Sequence, residues 1–154
     1  YGRHQPQPDS GVLRGSDQEM TYVVAHASIR ARFETQWGGT TAVQYPNQKF
    51  IVPDAPWVRL NIVSAGSDWA GFGDPGNNPE RNFGQVTIQI FTESGEGEGA
   101  GLALADTARG VFRQWRDAAS GVRVLVPPYA RQVGIDGKWY QINVVAPFQF
   151  DDFT

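Results

Sequence analysis

Residues 57–63 read WVRLNIV and residues 83–92 read FGQVTIQIFT, and the alternation within them decides the fold. In the first, Val58, Leu60 and Ile62 fall on one side and Arg59 and Asn61 on the other. In the second, Val86, Ile88 and Ile90 oppose Gln85, Thr87 and Gln89. A period of two sends successive side chains to opposite faces of a pleated strand, so each segment predicts a strand with one apolar face. Together they predict a long antiparallel hairpin. The stretch between them, residues 64–82 (SAGSDWAGFGDPGNNPERN), is too long for a tight turn and holds two large aromatics, Trp69 and Phe72. Loops of this length inside a compact domain commonly carry function or mobility.

Working outward, Tyr22, His26, Ile29, Phe33 and Trp37 recur at spacings of three and four, which predicts a helix over residues 21–37. Thr21 is its expected cap and Gly38-Gly39 its stop. Residues 40–56, with a short apolar patch at 50–52, cross the domain edge with room for one short strand. After ESGEGEGAG comes a second helical face, Leu104, Ala108, Val111, Phe112 and Trp115, predicting a helix over 102–119. Acidic residues precede it and Arg109, Arg113 and Arg116 fall near its end, an arrangement that complements the helix dipole; Gly121 is its expected terminator. Residues 122–126 read as a strand broken by Pro127-Pro128, with 129–135 continuing it beyond a kink. Asp136-Gly137 signals a tight turn, and residues 138–148 (KWYQINVVAPF) supply the final strand before a short, acidic and aromatic tail, QFDDFT. The order is helix, hairpin, helix, hairpin. It predicts an α+β fold: a small mixed or mostly antiparallel β-sheet, two main helices on one face, and a long hairpin loop.

Composition bounds the function. A chain of 154 residues has the size of one domain, able to bury roughly 70% of its unfolded surface. We expect a single domain over 20–154, preceded at 1–19 by an extended N-terminal arm or tag that, if ordered, lies on a neighbouring subunit. The net charge of −3 and pI near 5.3 lack the basic excess that phosphate neutralisation needs. The absence of cysteine excludes disulfides, thiolate zinc sites and cysteine nucleophiles. No run of 18 apolar residues and no signal-peptide pattern is visible in the sequence. We expect a soluble protein made inside the cell, with no membrane association.

Catalytic constellations are equally hard to assemble. Of the two histidines, His4 lies in the arm and His26 on the apolar helix face, where a hydrogen-bonded helix or interface histidine is the simplest reading. Glu96 with Glu98, and Asp151 with Asp152, sit in glycine-rich or terminal sequence that offers no pocket to separate their pKa values. GSDWAGFGDPG has the glycines but not the G-x-x-x-x-G-K-[ST] pattern of a phosphate loop. Asp68, Asp74, Glu80 and the acidic residues of 93–98 fit no calcium-loop spacing. We expect no enzyme, metal or cofactor. What remains is the loop: Trp69 and Phe72 either fold back as a satellite core or form a contact surface, and their polar neighbours favour contact.

At this point HASIRARFETQW, APWVRLNIV, GQVTIQIF, GEGEGAGLALADTARGVFRQW and GKWYQINVVAPFQFDDF carry a resemblance. Over most of residues 20–153 the chain resembles the tail-terminator proteins of long-tailed bacteriophages, the lambda-type minor tail protein U group. The resemblance implies a small α/β domain that forms a hexameric ring, caps the tail tube, ends its growth and presents a surface to the head-completion or neck protein. It implies a virion location at the head-proximal end of the tail, with synthesis in the host bacterial cytoplasm. DNA would pass through the lumen without specific binding, as an acidic chain allows. The family has no catalytic residues to carry over. From the loop's chemistry, Trp69, Phe72, Arg81 and Phe83 are the expected subunit or tail-tube contacts. The alternative is another tail-tube or neck/head-closure subunit, which shares small α+β folds and extended loops.

Overall fold

The computed structural model describes residues 21–153, so the expected arm at 1–19 lies outside the described residues. Helix α1 (Tyr22–Trp37) begins where the Thr21 hydroxyl accepts the Val24 N–H at 3.4 Å and ends at Gly38, whose φ is 55°. Ala25, Ile29, Phe33 and Trp37 form its buried stripe. The strands are β1 (Ala42–Gln44), β2 (Trp57–Trp69), β3 (Pro79–Glu93), β4 (Tyr129–Asp136) and β5 (Trp139–Phe153), with helix α2 (Gly99–Phe112) between β3 and β4. The sheet order is β1-β2-β3-β5-β4. β1 runs parallel to β2 and every other neighbouring pair is antiparallel, so the expected α+β class holds, with a mixed sheet.

The alternation seen in sequence sets the two faces. Val58 pairs with Ile90, Leu60 with Ile88 and Ile62 with Val86; across the next boundary Val86 meets Ala146, Ile88 meets Val144 and Ile90 meets Ile142. This inner face packs against both helices in one core, where the Phe33 ring stacks between Trp37 at 5.3 Å and Phe112 at 6.5 Å. Burying each large apolar side chain stabilises the fold by about 1.5–3 kcal/mol. Gly84 lies opposite Phe148, and a Cβ built there would stand 2.5 Å from that ring and 2.7 Å from the Val63 carbonyl oxygen. Any side chain there must displace the ring or part the strands, because backbone and ring close in together.

Several boundaries differ from expectation, for physical reasons. β2 and β3 run on through most of the stretch read as loop, absorbing Ala65 as a bulge between Ser64 and Gly66. The connection shrinks to residues 70–78. The short strand of the edge crossing forms at Ala42–Gln44, while Phe50 leaves the edge to pack on Trp57 at 5.2 Å. α2 starts earlier and stops at Phe112, since Arg113 is extended and Gln114 has φ 55°. The expected dipole complement is reduced to Arg109 in the last turn, and Glu98 makes no side-chain cap bond. Gly121, φ 72°, therefore closes a later turn rather than the helix. Residues 122–126 form no strand. Arg123 alone exchanges both backbone hydrogen bonds with Gln149, at 2.9 and 3.0 Å, and Pro127-Pro128 then interrupt the ladder by lacking donors. Finally, QFDDFT is not a loose tail: β5 continues to Phe153, with Phe148 and Phe150 buried two residues apart.

Candidate assembly surface

β2 and β3 pair until Trp69 meets Glu80, and β5 accompanies β3 to Phe153. The far end of the sheet is thus a three-stranded platform carrying a short loop. Gly71 lies against the Pro79 ring, and Ala70 N–H donates to the Pro79 carbonyl at 2.9 Å. Beyond them Asp74 organises the tip, accepting the Asn77 N–H on its carbonyl and the Asn77 side-chain amide on its carboxylate, while its own N–H donates to Asn78 Oδ1. The backbone of the tip is therefore satisfied locally. Phe72, however, is 88% exposed and Trp69 55% exposed. Both aromatics face solvent rather than forming a satellite core, an arrangement that costs hydration free energy until a partner covers it.

The four sequence-predicted contacts do not share one face. Residues paired across antiparallel strands lie on the same side, so Trp69 and Glu80 share the helix side of the sheet. Arg81 with Asp68, and Phe83 with Gly66, lie on the open side. Phe72 occupies the connecting loop. Arg81 is committed within the domain: its Nε and a terminal nitrogen donate to the two Asp151 oxygens at 3.0 and 3.2 Å, and Arg123 donates to the same carboxylate at 3.2 Å. At Asp151 desolvation works to raise the pKa, but hydrogen bonds and charge from Arg81 and Arg123 outweigh it and hold the carboxyl below its ordinary value. Arg81 holds the platform together; Phe83, half-exposed beside it, offers open-face apolar surface.

Sequence reasoning missed a second group. Tyr129, Val133 and Ile135 of β4 and the preceding Leu125 and Val126 are all exposed. β4 closes one side of the sheet and bears no further strand among the described residues. At the other side β1 pairs only with Trp57, Val58 and Arg59, leaving residues 60–69 of β2 without a backbone partner on their outer edge among the described residues. Their signal was the mismatch between a long β2 and a three-residue β1, which appears only once both lengths are known.

The open face of the central sheet is polar and amide-rich. One rung carries Gln44, Arg59, Gln89, Asn143 and Arg131 in order across the five strands. Arg59 donates to Gln44 at 2.8 Å and Gln89 at 3.1 Å and stands 5.3 Å from the ring centroids of Trp57 and Phe91. His26, expected to be a hydrogen-bonded helix or interface histidine, has a buried Nε2 with no hydrogen-bond partner among the described residues, and desolvation lowers its pKa. Elsewhere Asp117 accepts from the Ser28 and Ser120 hydroxyls, and those bonds lower its pKa despite burial. This cluster fastens the turn after α2 to α1.

No family model matches the chain, and no curated protein sequence matches it. Among solved structures, one whose title states no activity is 19% identical, covering 84% of this chain and 97% of its own with a TM-score of 0.57. A chain of a structure titled "Virion of native gene transfer agent (GTA) particle" is 18% identical, covering 85% of this chain and 99% of its own with a TM-score of 0.48. The first likeness is one of fold.

Proposed function

We propose that this protein is a non-enzymatic structural subunit of a phage-type tail, and specifically the tail terminator. In this reading it is a ring-forming protein, with six copies to the ring, that caps the tail tube, ends its polymerisation and offers a surface for the head-completion protein. The observation that carries the reading is the pair of exposed aromatics, Trp69 and Phe72, at the end of the long β2–β3 platform. Large exposed aromatics on a locally rigid support are what a protein contact needs, since little entropy is lost when they are covered. The family resemblance of the sequence supplies the particular role. In the assembled ring the acidic chain leaves DNA free to pass, because few cations are available to hold the phosphates.

Light scattering is the direct test. A terminator gives a closed ring of about six 16.9 kDa chains that blocks further growth of tube protein added to it. Long stacks would instead identify a tube subunit. Failure to affect tube length, with the ring intact, would assign the protein to another neck position.

A further inference from the structure

We infer that copies of this chain join head to tail by strand addition, the outer edge of β4 in one copy pairing antiparallel with residues 60–69 of β2 in the next. The inference rests on the assembly reading above and specifies the interface that reading leaves open. Both strands end in unpaired backbone edges among the described residues, and neither β4 nor residues 60–69 contains a lysine or a proline. Those are two of the residues with which natural sheets blunt an edge, and each strand is interrupted only by one bulge, at 64/66 in β2 and 132/134 in β4. β4 instead exposes Val133 and Ile135, the latter 69% exposed, and β2 exposes Val63 and Trp69.

Strand direction makes the two edges complementary. β2 is antiparallel to β3, β3 to β5 and β5 to β4, so β4 runs opposite to β2. A second copy set beyond β4 in the same orientation presents its β2 antiparallel to that edge, and the sheet continues across the boundary. Repeating one such operation uses the β4 edge and the 60–69 edge of every copy and leaves neither of them free when the ring closes. Charge favours this pairing. Arg131 of β4 pairs with Asn143 on the open face, and Asp68 of β2 pairs with Arg81 on that same face. Neither Arg131 nor Asp68 has an ion-pair partner among the described residues. With Arg131 opposite Asp68, β4 lies along the exposed part of β2, whereas two β4 edges paired about a two-fold axis leave β2 uncovered.

The experiment is a charge exchange in the full chain, read by light scattering and by oxidative cross-linking in a protein with no native cysteine. Arg131→Asp alone is expected to weaken assembly at least tenfold, and Asp68→Arg added to it restores assembly. Mixed Arg131→Cys and Asp68→Cys chains are expected to cross-link to each other, and neither variant to itself. Self-linking of the Arg131→Cys chain would overturn the head-to-tail geometry in favour of a symmetric pair. Unchanged assembly in Arg131→Asp, with no cross-link in the mixture, would overturn edge pairing and leave the assembly reading standing. A native chain that stays monomeric at every concentration would overturn both.

Discussion

Asp151 stands directly across the β3–β5 boundary from Arg81, and its carboxylate takes two hydrogen bonds from that one guanidinium and a third from Arg123. The two arginines come from elements distant in sequence, one from β3 and one from the irregular stretch after α2. Asp151 is therefore the point at which that stretch is fixed to the sheet. Asp151→Asn is expected to lower the melting temperature, since it leaves two guanidinium groups sharing a neutral amide. The pH dependence has a definite sign. Asp151 and Asp117 both have folded pKa values below their ordinary ones, so they stabilise the fold fully above the unfolded value, about 4. That contribution is lost as pH falls through the depressed folded values. Melting curves from pH 5 down to 2 should show a shallower loss in Asp151→Asn than in the native chain.

Gly84 carries a second prediction. The Phe148 ring and the Val63 carbonyl occupy the space of its absent side chain, and β2, β3 and β5 meet there with Phe148 nearly buried. Gly84→Ala must push the ring or part the strands, an overpacking expected to cost about 1–3 kcal/mol. Denaturant titration measures it as a lower midpoint at unchanged slope. Phe148→Leu in the Gly84→Ala background should recover part of the loss, because the smaller side chain vacates the contested volume.

How much was legible in the sequence follows from where periodicity is undisturbed. Residues 57–63 and 83–92 alternate without interruption, and those residues pair in the expected hairpin. The α1 stripe was equally readable through Ile29, Phe33 and Trp37. The extensions were not, because Ala65 breaks the alternation of β2 and the mostly polar residues of 66–69 and 79–82 carry no apolar alternation, Asn82 alone among them being buried. Serine, asparagine and aspartate there look like loop until Ser67 is seen donating to Asn82 at 2.6 Å. The end of α2 was hidden too, since Trp115 keeps helical spacing yet reaches Phe112 edge-on from a reversed chain. Of the four proposed contacts, Trp69 and Phe72 could be chosen from their polar surroundings. The commitment of Arg81 to Asp151 needed a pairing across 70 residues of sequence.

His26 supplies a pH response at a different window. Its buried Nε2 lacks a partner among the described residues and desolvation lowers its pKa, so the folded domain favours the neutral ring. The unfolded chain then binds the proton more readily, and stability is full above the unfolded value of about 6.5 and declines as pH falls below it. His26→Leu is expected to flatten the stability profile between pH 7 and 5 while leaving the loss below pH 4 in place. Urea midpoints across that range test the two windows separately.

The loop between β2 and β3 separates folding from assembly most cleanly. Phe72 touches solvent over nearly its whole surface, so its removal takes almost nothing from the core. Phe72→Ser is expected to change unfolding free energy by less than about 0.5 kcal/mol, as surface substitutions usually do. If the exposed ring is a contact anchor, the same substitution should weaken subunit or tube association at least tenfold, the effect of losing roughly 1.4 kcal/mol of binding free energy. Trp69→Ser should weaken association likewise, and the two together should exceed either alone. The tip itself is held by Asp74, Asn77 and Asn78, none of which touches the aromatic rings through a hydrogen bond, so its fold survives both changes. Paired measurements of chemical unfolding and of particle mass by light scattering then read the two properties independently: stable but dissociated protein is the expected result, and stable protein with native association would remove the aromatics from the interface.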